Sequence, residues 1–157
     1  MSVEAVNVEA VNVETVNVEA VNIESLRLRA HNLLCIQGFV GKGYSPEFVA
    51  NMASVIDQLE PETEVTLLTE PDVLCAACPN LSDSGCALHG DGSERGIASQ
   101  DRDVLGRLGL HSGAVVTWSD IVERIRKNVA PDDLDEICGT CPWLPLGVCK
   151  AGLRNLH

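Results

Sequence analysis

Residues 75–86 read CAACPNLSDSGC and residues 138–149 read CGTCPWLPLGVC. Both follow one rule, Cys-x2-Cys-Pro-x6-Cys, and together they hold six of the seven cysteines: Cys75, Cys78 and Cys86 in the first, Cys138, Cys141 and Cys149 in the second. A Cys-x2-Cys turn aims two sulfurs at one centre about 2.3 Å away, the usual metal–thiolate distance. The third sulfur can close on that centre from another side. Two copies of one three-cysteine pattern point to metal, and to a domain whose short elements are tied together by two sulfur hooks.

Iron–sulfur and zinc compete for these hooks. Pairing Cys75 and Cys78 with Cys138 and Cys141 gives a zinc tetrahedron but leaves Cys86 and Cys149 unexplained. Triplets of soft thiolates followed by proline suit cubane clusters, whose fourth ligand is often remote. The expectation is therefore one or two 4Fe-4S clusters, with zinc as the alternative. Each triplet needs a fourth ligand or leaves an open position. Cys35 is the remaining thiol, and His31 lies four residues before it. On a helix the two share a face, and one could serve each site. Against this stand plainer roles, a hydrogen-bonded imidazole for His31 and a small buried apolar group for Cys35. Cys86-x2-His89 adds a local zinc-like set, but HGDGSERG (89–96) reads as a flexible loop with an exposed histidine. Trp143, inside the second hook, either keeps water from a centre or simply packs.

Composition narrows the function. Eleven Lys and Arg against 23 Asp and Glu give a net charge of −12, and five residues are aromatic. That argues against nucleic-acid and anionic-membrane partners, which need a basic face, and against a base-stacking platform. No apolar run reaches membrane-spanning length. The N-terminus lacks the cationic start and apolar core of a secretory signal, so a reducing cytoplasm is expected, where clustered cysteines hold metal more often than disulfides. Asp72, Asp101, Asp103, Asp132, Asp133 and Asp135 offer no clear acid/base pair, and no nucleophile elbow, zinc-protease pair or dinucleotide fingerprint is present. Lys42 lies in GFVGKGYSP (38–46), which lacks phosphate-loop spacing.

Residues 3–27 are five five-residue units, VEAVN, VEAVN, VETVN, VEAVN and IESLR. Valine spacing of three and two gives neither a helix nor a strand a steady apolar face. Residues 1–25 carry Glu4, Glu9, Glu14, Glu19 and Glu24 and no Lys or Arg, which leaves residues 26–157 at −7. Residues 1–25 are expected to be a disordered acidic tail and 26–157 one cysteine-rich domain. In that domain Leu26, Leu28 and Ala30 alternate with Arg27 and Arg29 as a short strand, followed by a helical turn over His31–Gln37. Ser45-Pro46 opens a helix carrying Phe48, Val49, Met52, Val55, Ile56 and Leu59. A strand follows at Val65–Leu68, then a helix from Ser99 to Leu108 closed by Gly109. Val115–Thr117 reads as a strand, Ser119 as the cap of a helix through Val129, and Pro131 as the start of a short helix into Cys138. Val148–Leu156 completes the set. The fold class is α+β, mainly helical with a few short strands.

RAHNLLC (29–35), GFVGKGYSPEFVANM (38–52), CAACPNL (75–81) and CGTCPWLPLGVC (138–149) resemble the domain of unknown function 1284 family, uncharacterised prokaryotic proteins suspected of iron–sulfur binding. The resemblance covers about residues 26–156. It implies cluster binding by Cys75, Cys78, Cys86, Cys138, Cys141 and Cys149, with Cys35 and His31 as further ligands. The repeat tail and Ala130, where a polar cap is expected before Pro131, depart from the pattern. The leading expectation is a cytoplasmic iron–sulfur protein that passes or senses electrons, with an acidic surface suited to a redox partner presenting a basic face. The alternatives are a zinc-stapled interaction module and an enzyme with an open cluster iron.

Overall fold

The computed structural model describes residues 26–156 except Ser84, Asp91 and Thr140. The tail expected over 1–25 lies outside the described residues. Strand β1 (Leu26–Arg29) runs directly into helix α1 (Ala30–Gln37), and α2 (Pro46–Gln58) leads to β2 (Glu64–Leu68). A small hairpin, β3 (Leu81–Ser82) and β4 (Gly85–Cys86), precedes α3 (Ser93–Leu108). Strand β5 (Val115–Thr117), α4 (Trp118–Asn128), α5 (Leu134–Ile137) and α6 (Val148–Arg154) follow. The class is α+β and mainly helical, as the sequence implies.

Strand β2 lies at the centre of a three-stranded sheet, parallel to β1 and antiparallel to β5. The register sets Leu26 opposite Val65, Leu28 opposite Leu67, and Val65 opposite Val116. Leu26, Leu28, Val65 and Leu67 share one apolar core with Leu33 and Leu34 of α1, Met52 and Val55 of α2, Val104, Leu105 and Leu108 of α3, and Ile121 and Ile125 of α4. No described helix is long and apolar enough to cross a membrane.

Several boundaries follow from side chains close in sequence. The Ser45 hydroxyl accepts the Phe48 N–H at 3.1 Å and Pro46 occupies the first turn of α2, so the cap falls where expected. Gly109 closes α3 with φ of +71°, a conformation glycine takes without steric cost. Two starts differ from expectation. Helix α4 is capped by Thr117, not Ser119: the Thr117 hydroxyl accepts the Asp120 N–H at 3.3 Å, while the Trp118 and Ser119 N–H groups donate to Thr63 and Pro61 carbonyls at 2.7 and 2.9 Å. Helix α3 begins at Ser93, six residues before Ser99. Its first turn is anchored to the β4 strand, because the Ser93 hydroxyl donates to the Cys86 carbonyl at 2.6 Å and Glu94 accepts the Cys86 N–H at 2.8 Å.

The end of α1 meets α6 backbone to backbone. A Cβ on Gly38 would lie 2.6 Å from the Cys149 Cα, and one on Gly152 would overlap the Gln37 carbonyl. Only glycine permits this approach, which presses the Cys149 segment against the end of the helix that carries Cys35. Gly152→Ala is expected to push α6 away and to destabilise the domain by about 1–3 kcal/mol. Urea unfolding measures it, and an unchanged midpoint would show that the helices part without strain.

Candidate metal centre

The two hooks fold alike at their first two cysteines. In each, the second cysteine donates its N–H to the carbonyl of the first, Cys78 to Cys75 and Cys141 to Cys138, both at 2.9 Å. The second cysteine's carbonyl then accepts an N–H from three residues on, Leu81 at 3.2 Å and Leu144 at 3.3 Å. The proline after each pair has no N–H to compete in that turn. Beyond this point the hooks part. The first returns through the β3–β4 hairpin, where Leu81 pairs with Cys86. The second returns through a 3-10 turn at Leu144–Leu146 and enters α6 at Cys149.

All seven cysteines line one cavity of about 130 Å³, and His31 and His89 line it too. Among the described residues, no three His, Cys, Asp or Glu side chains converge tightly enough to hold a single metal ion. The sulfurs stand around a space rather than around a point. No disulfide links them.

Electrostatic contacts divide the thiols into two sets. Burial pushes the Cys35 thiol well up, and Cys141, Cys138 and Cys149 push it further. Cys138 is raised to about 12 by burial and then by Cys141, with Cys149 adding to it. Cys149 is raised by burial and by Cys141. Cys35 thus has all three cysteines of the second hook as electrostatic neighbours. In the first, Cys78 is raised by burial and by Cys86, partly offset by bonds from Asn80. Cys75 is raised to about 12 by burial and then by Asp72. Two sulfurs accept weak hydrogen bonds, Cys138 from the Gln100 amide at 3.5 Å and Cys78 from the Asn80 N–H at 3.4 Å. Such bonds favour negative charge on sulfur.

A buried polar frame supports the first hook. Asp72 accepts N–H groups from Arg29 at 2.7 Å, Leu74 at 2.9 Å and Cys75 at 3.1 Å, together with the Asn32 amide at 2.9 Å. That carboxylate fixes the entry of the Cys75 turn against β1. Arg29 lies 1 % exposed and Asp101 is fully buried. The Arg29 guanidinium binds Asp101 through Nε at 2.8 Å and Glu94 through both terminal nitrogens at 3.1 and 2.7 Å. Burial alone would lower the Arg29 pKa, but its bonds to Glu94 and Asp101 outweigh burial and raise it. The other Asp101 oxygen takes the His31 N–H at 2.9 Å and pairs with His31 Nδ1 at 2.7 Å.

Strand alternation places Arg29 outward, yet among the described residues it is the largest fully buried side chain. The two carboxylates it meets come from a helix 65 and 72 residues away, a pairing that local pattern does not display. Asp72, Asp101 and Glu94 escape sequence reasoning for the same reason. The only local hint is an arginine and a histidine flanking the strand–helix junction. His89 is exposed at the cavity wall and His111 is exposed elsewhere. Trp143 packs edge-on against Tyr44 with ring centroids 5.1 Å apart, and Tyr44 packs likewise on Phe48 at 5.4 Å. Burial, then Cys141, raises the Tyr44 pKa, with Cys35 and Cys78 adding to it. The ring therefore stands near both thiol sets.

A family model described as Protein of unknown function (DUF1284) matches residues 43–147. The chain belongs to that family. The DUF1284 match includes Cys75, Cys78, Cys86, Cys138 and Cys141, begins after His31 and Cys35, and ends before Cys149. It is narrower than the span of resemblance read from the motifs. No curated protein and no solved structure matches the chain.

The raised thiols give the metal-free domain a defined alkaline weakness. Folded Cys75 and Cys138 ionise near 12, against an ordinary value of 9.0 once unfolded. The unfolded chain therefore loses protons first as pH rises, and the folded state is disfavoured through that interval. Stability of the metal-free protein is expected to be intact below pH 9 and to fall steadily between about 9 and 12. Thermal melts across this range check it, with Cys75→Ala/Cys138→Ala as the control that lessens the slope while the other raised thiols keep the remainder.

Proposed function

We propose that this DUF1284 protein binds iron–sulfur clusters and passes or senses electrons. The observation that carries the reading is seven cysteines from distant parts of the chain lining one cavity of about 130 Å³. A single ion held by touching sulfurs needs no such room. On the measure by which one water takes about 10–15 Å³, the space accommodates several heavy atoms. The donor set fits as well. Sulfur is the ligand that iron–sulfur clusters take, and buried thiols that discourage one another's charge become favourable once a cationic centre is among them. When bound, such a cluster supplies reversible one-electron chemistry. The protein's own part is to exclude water with Tyr44, Trp143 and Phe48 and to set the potential through the Gln100 and Asn80 bonds to sulfur.

Val40, Leu81 and Leu146 are exposed large apolar side chains and line the same cavity. An apolar rim beside a redox centre suits brief docking of an electron-transfer protein. The net charge of −12 favours a partner whose own face is basic. A cytoplasmic setting accords with free thiols.

Purification without oxygen, with iron, acid-labile sulfide and zinc measured per chain, tests the reading. About four irons and four sulfides per centre, with a broad visible absorption that bleaches on reduction, are expected. Stoichiometric zinc without sulfide would overturn it in favour of a zinc-stapled module.

A further inference from the structure

We propose that the cavity holds two chemically unequal centres, one on Cys35, Cys138, Cys141 and Cys149, the other on Cys75, Cys78, Cys86 and the Nε2 of His31. This rests on the iron–sulfur reading above and assigns ligands that spacing leaves open. The first set is complete in sulfur. Cys149 is pressed against the end of α1 where Cys35 sits, since even a Cβ at Gly38 would meet the Cys149 Cα at 2.6 Å. Cys35 also has Cys138 and Cys141 as electrostatic neighbours. The lone extra thiol is thereby committed, and the first hook has none left to recruit.

His31 has the features of a ligand held ready. Its ring lines the cavity, and Nδ1 is bound to a fully buried carboxylate at 2.7 Å. The backbone N–H of His31 binds the same oxygen at 2.9 Å, which fixes the residue from two directions. A carboxylate on one ring nitrogen sets the tautomer and leaves the other nitrogen as a basic donor toward a metal. The frame also ties this imidazole to the first hook and not the second. Asp101 binds Arg29, Arg29 binds Glu94, and Glu94 holds the Cys86 N–H at 2.8 Å. Arg29 is also an electrostatic neighbour of Cys75. One continuous chain of charge-assisted bonds therefore runs from His31 to the cysteine that closes the hook. Asp101 acts as a positioning residue for that nitrogen.

An imidazole in place of a thiolate removes one negative charge and raises the potential of its centre. The two centres then differ in potential, with the all-cysteine one lower. Tyr44 has Cys141, Cys35 and Cys78 as electrostatic neighbours, so thiols of both sets lie around its ring.

Pulsed EPR of the reduced, anaerobically loaded protein, grown with nitrogen-labelled histidine, provides the test. Strong coupling to one imidazole nitrogen is expected. His31→Cys should abolish that coupling while keeping iron and sulfide near the wild-type level, and should move one potential more negative. Cys35→Ser should leave the nitrogen coupling in place and disturb only the other centre's signal. A loaded wild type without nitrogen coupling, or coupling that survives His31→Cys and disappears in His89→Ala, would overturn the assignment. A wild type that takes up neither iron nor sulfide would sink the cluster reading itself, a result separable from the others.

Discussion

Arg29→Met is expected to destabilise the domain by about 3–5 kcal/mol, because it leaves one fully buried carboxylate and one largely buried carboxylate without their cation. Asp101 is fully buried and Glu94 is 21 % exposed, and the guanidinium spans both. Methionine fills much of the volume, so the loss is electrostatic rather than steric. The damage should also be local. Glu94 loses the partner that aims it at the Cys86 N–H, and Asp101 loses half of its anchorage beneath His31. Urea unfolding gives the stability change. Iron uptake by the variant should fall at the first hook and persist at the second. Arg29→Lys should recover only part of the loss, since an ammonium cannot serve Nε and both terminal positions together. A loss below about 1 kcal/mol in Arg29→Met would show that water reaches the frame and screens it.

If the proposed centre is bound, stripping it is expected to lower the melting temperature by about 8–16 °C. A group bound at about a thousandfold above its dissociation constant stabilises the folded state by about 4 kcal/mol. For a chain of this size each kcal/mol shifts the midpoint by about 2–4 °C. The sulfurs lining the cavity come from α1, the two hooks and α6, so a centre bound there would act on contacts distant in sequence. Calorimetry on loaded and chelator-treated protein, with thiols kept reduced, measures the difference. Equal melting temperatures, with all thiols freely reactive in both samples, would mean that no inorganic centre ties these elements together.

Much of the fold is readable from local chemistry. The Ser45-Pro46 cap, the Val65–Leu68 run, the Gly109 stop and the Val115–Thr117 strand depend on residues within a turn of one another, and the structure places them as read. The failures have a common cause. Helix α3 starts at Ser93 because Glu94 and Ser93 bond to the first hook, and α4 starts at Thr117 because the Trp118 and Ser119 N–H groups reach back to Pro61 and Thr63. In both, bonds to a partner outside the local window set the start, by side chains of the first turn in α3 and by backbone N–H groups in α4. Arg29 is the sharpest instance. Alternation points it to water, and two acids on α3 bring it inside.

The candidate site divides along the same line. Sequence alone determined the two matching hooks, since a turn that sets two sulfurs side by side needs only four residues and a proline. It also determined the acidic balance and the pairing of His31 with Cys35 on one helical face. Tertiary structure decided that all seven sulfurs share one cavity, that Cys35 has the second hook's cysteines as electrostatic neighbours, and that the buried Asp101 holds the His31 ring. Those assignments depend on where α1, α3 and α6 cross. That crossing is fixed by glycine contacts and by a buried charge pairing between residues far apart in the chain, whose energy appears only once the core has closed.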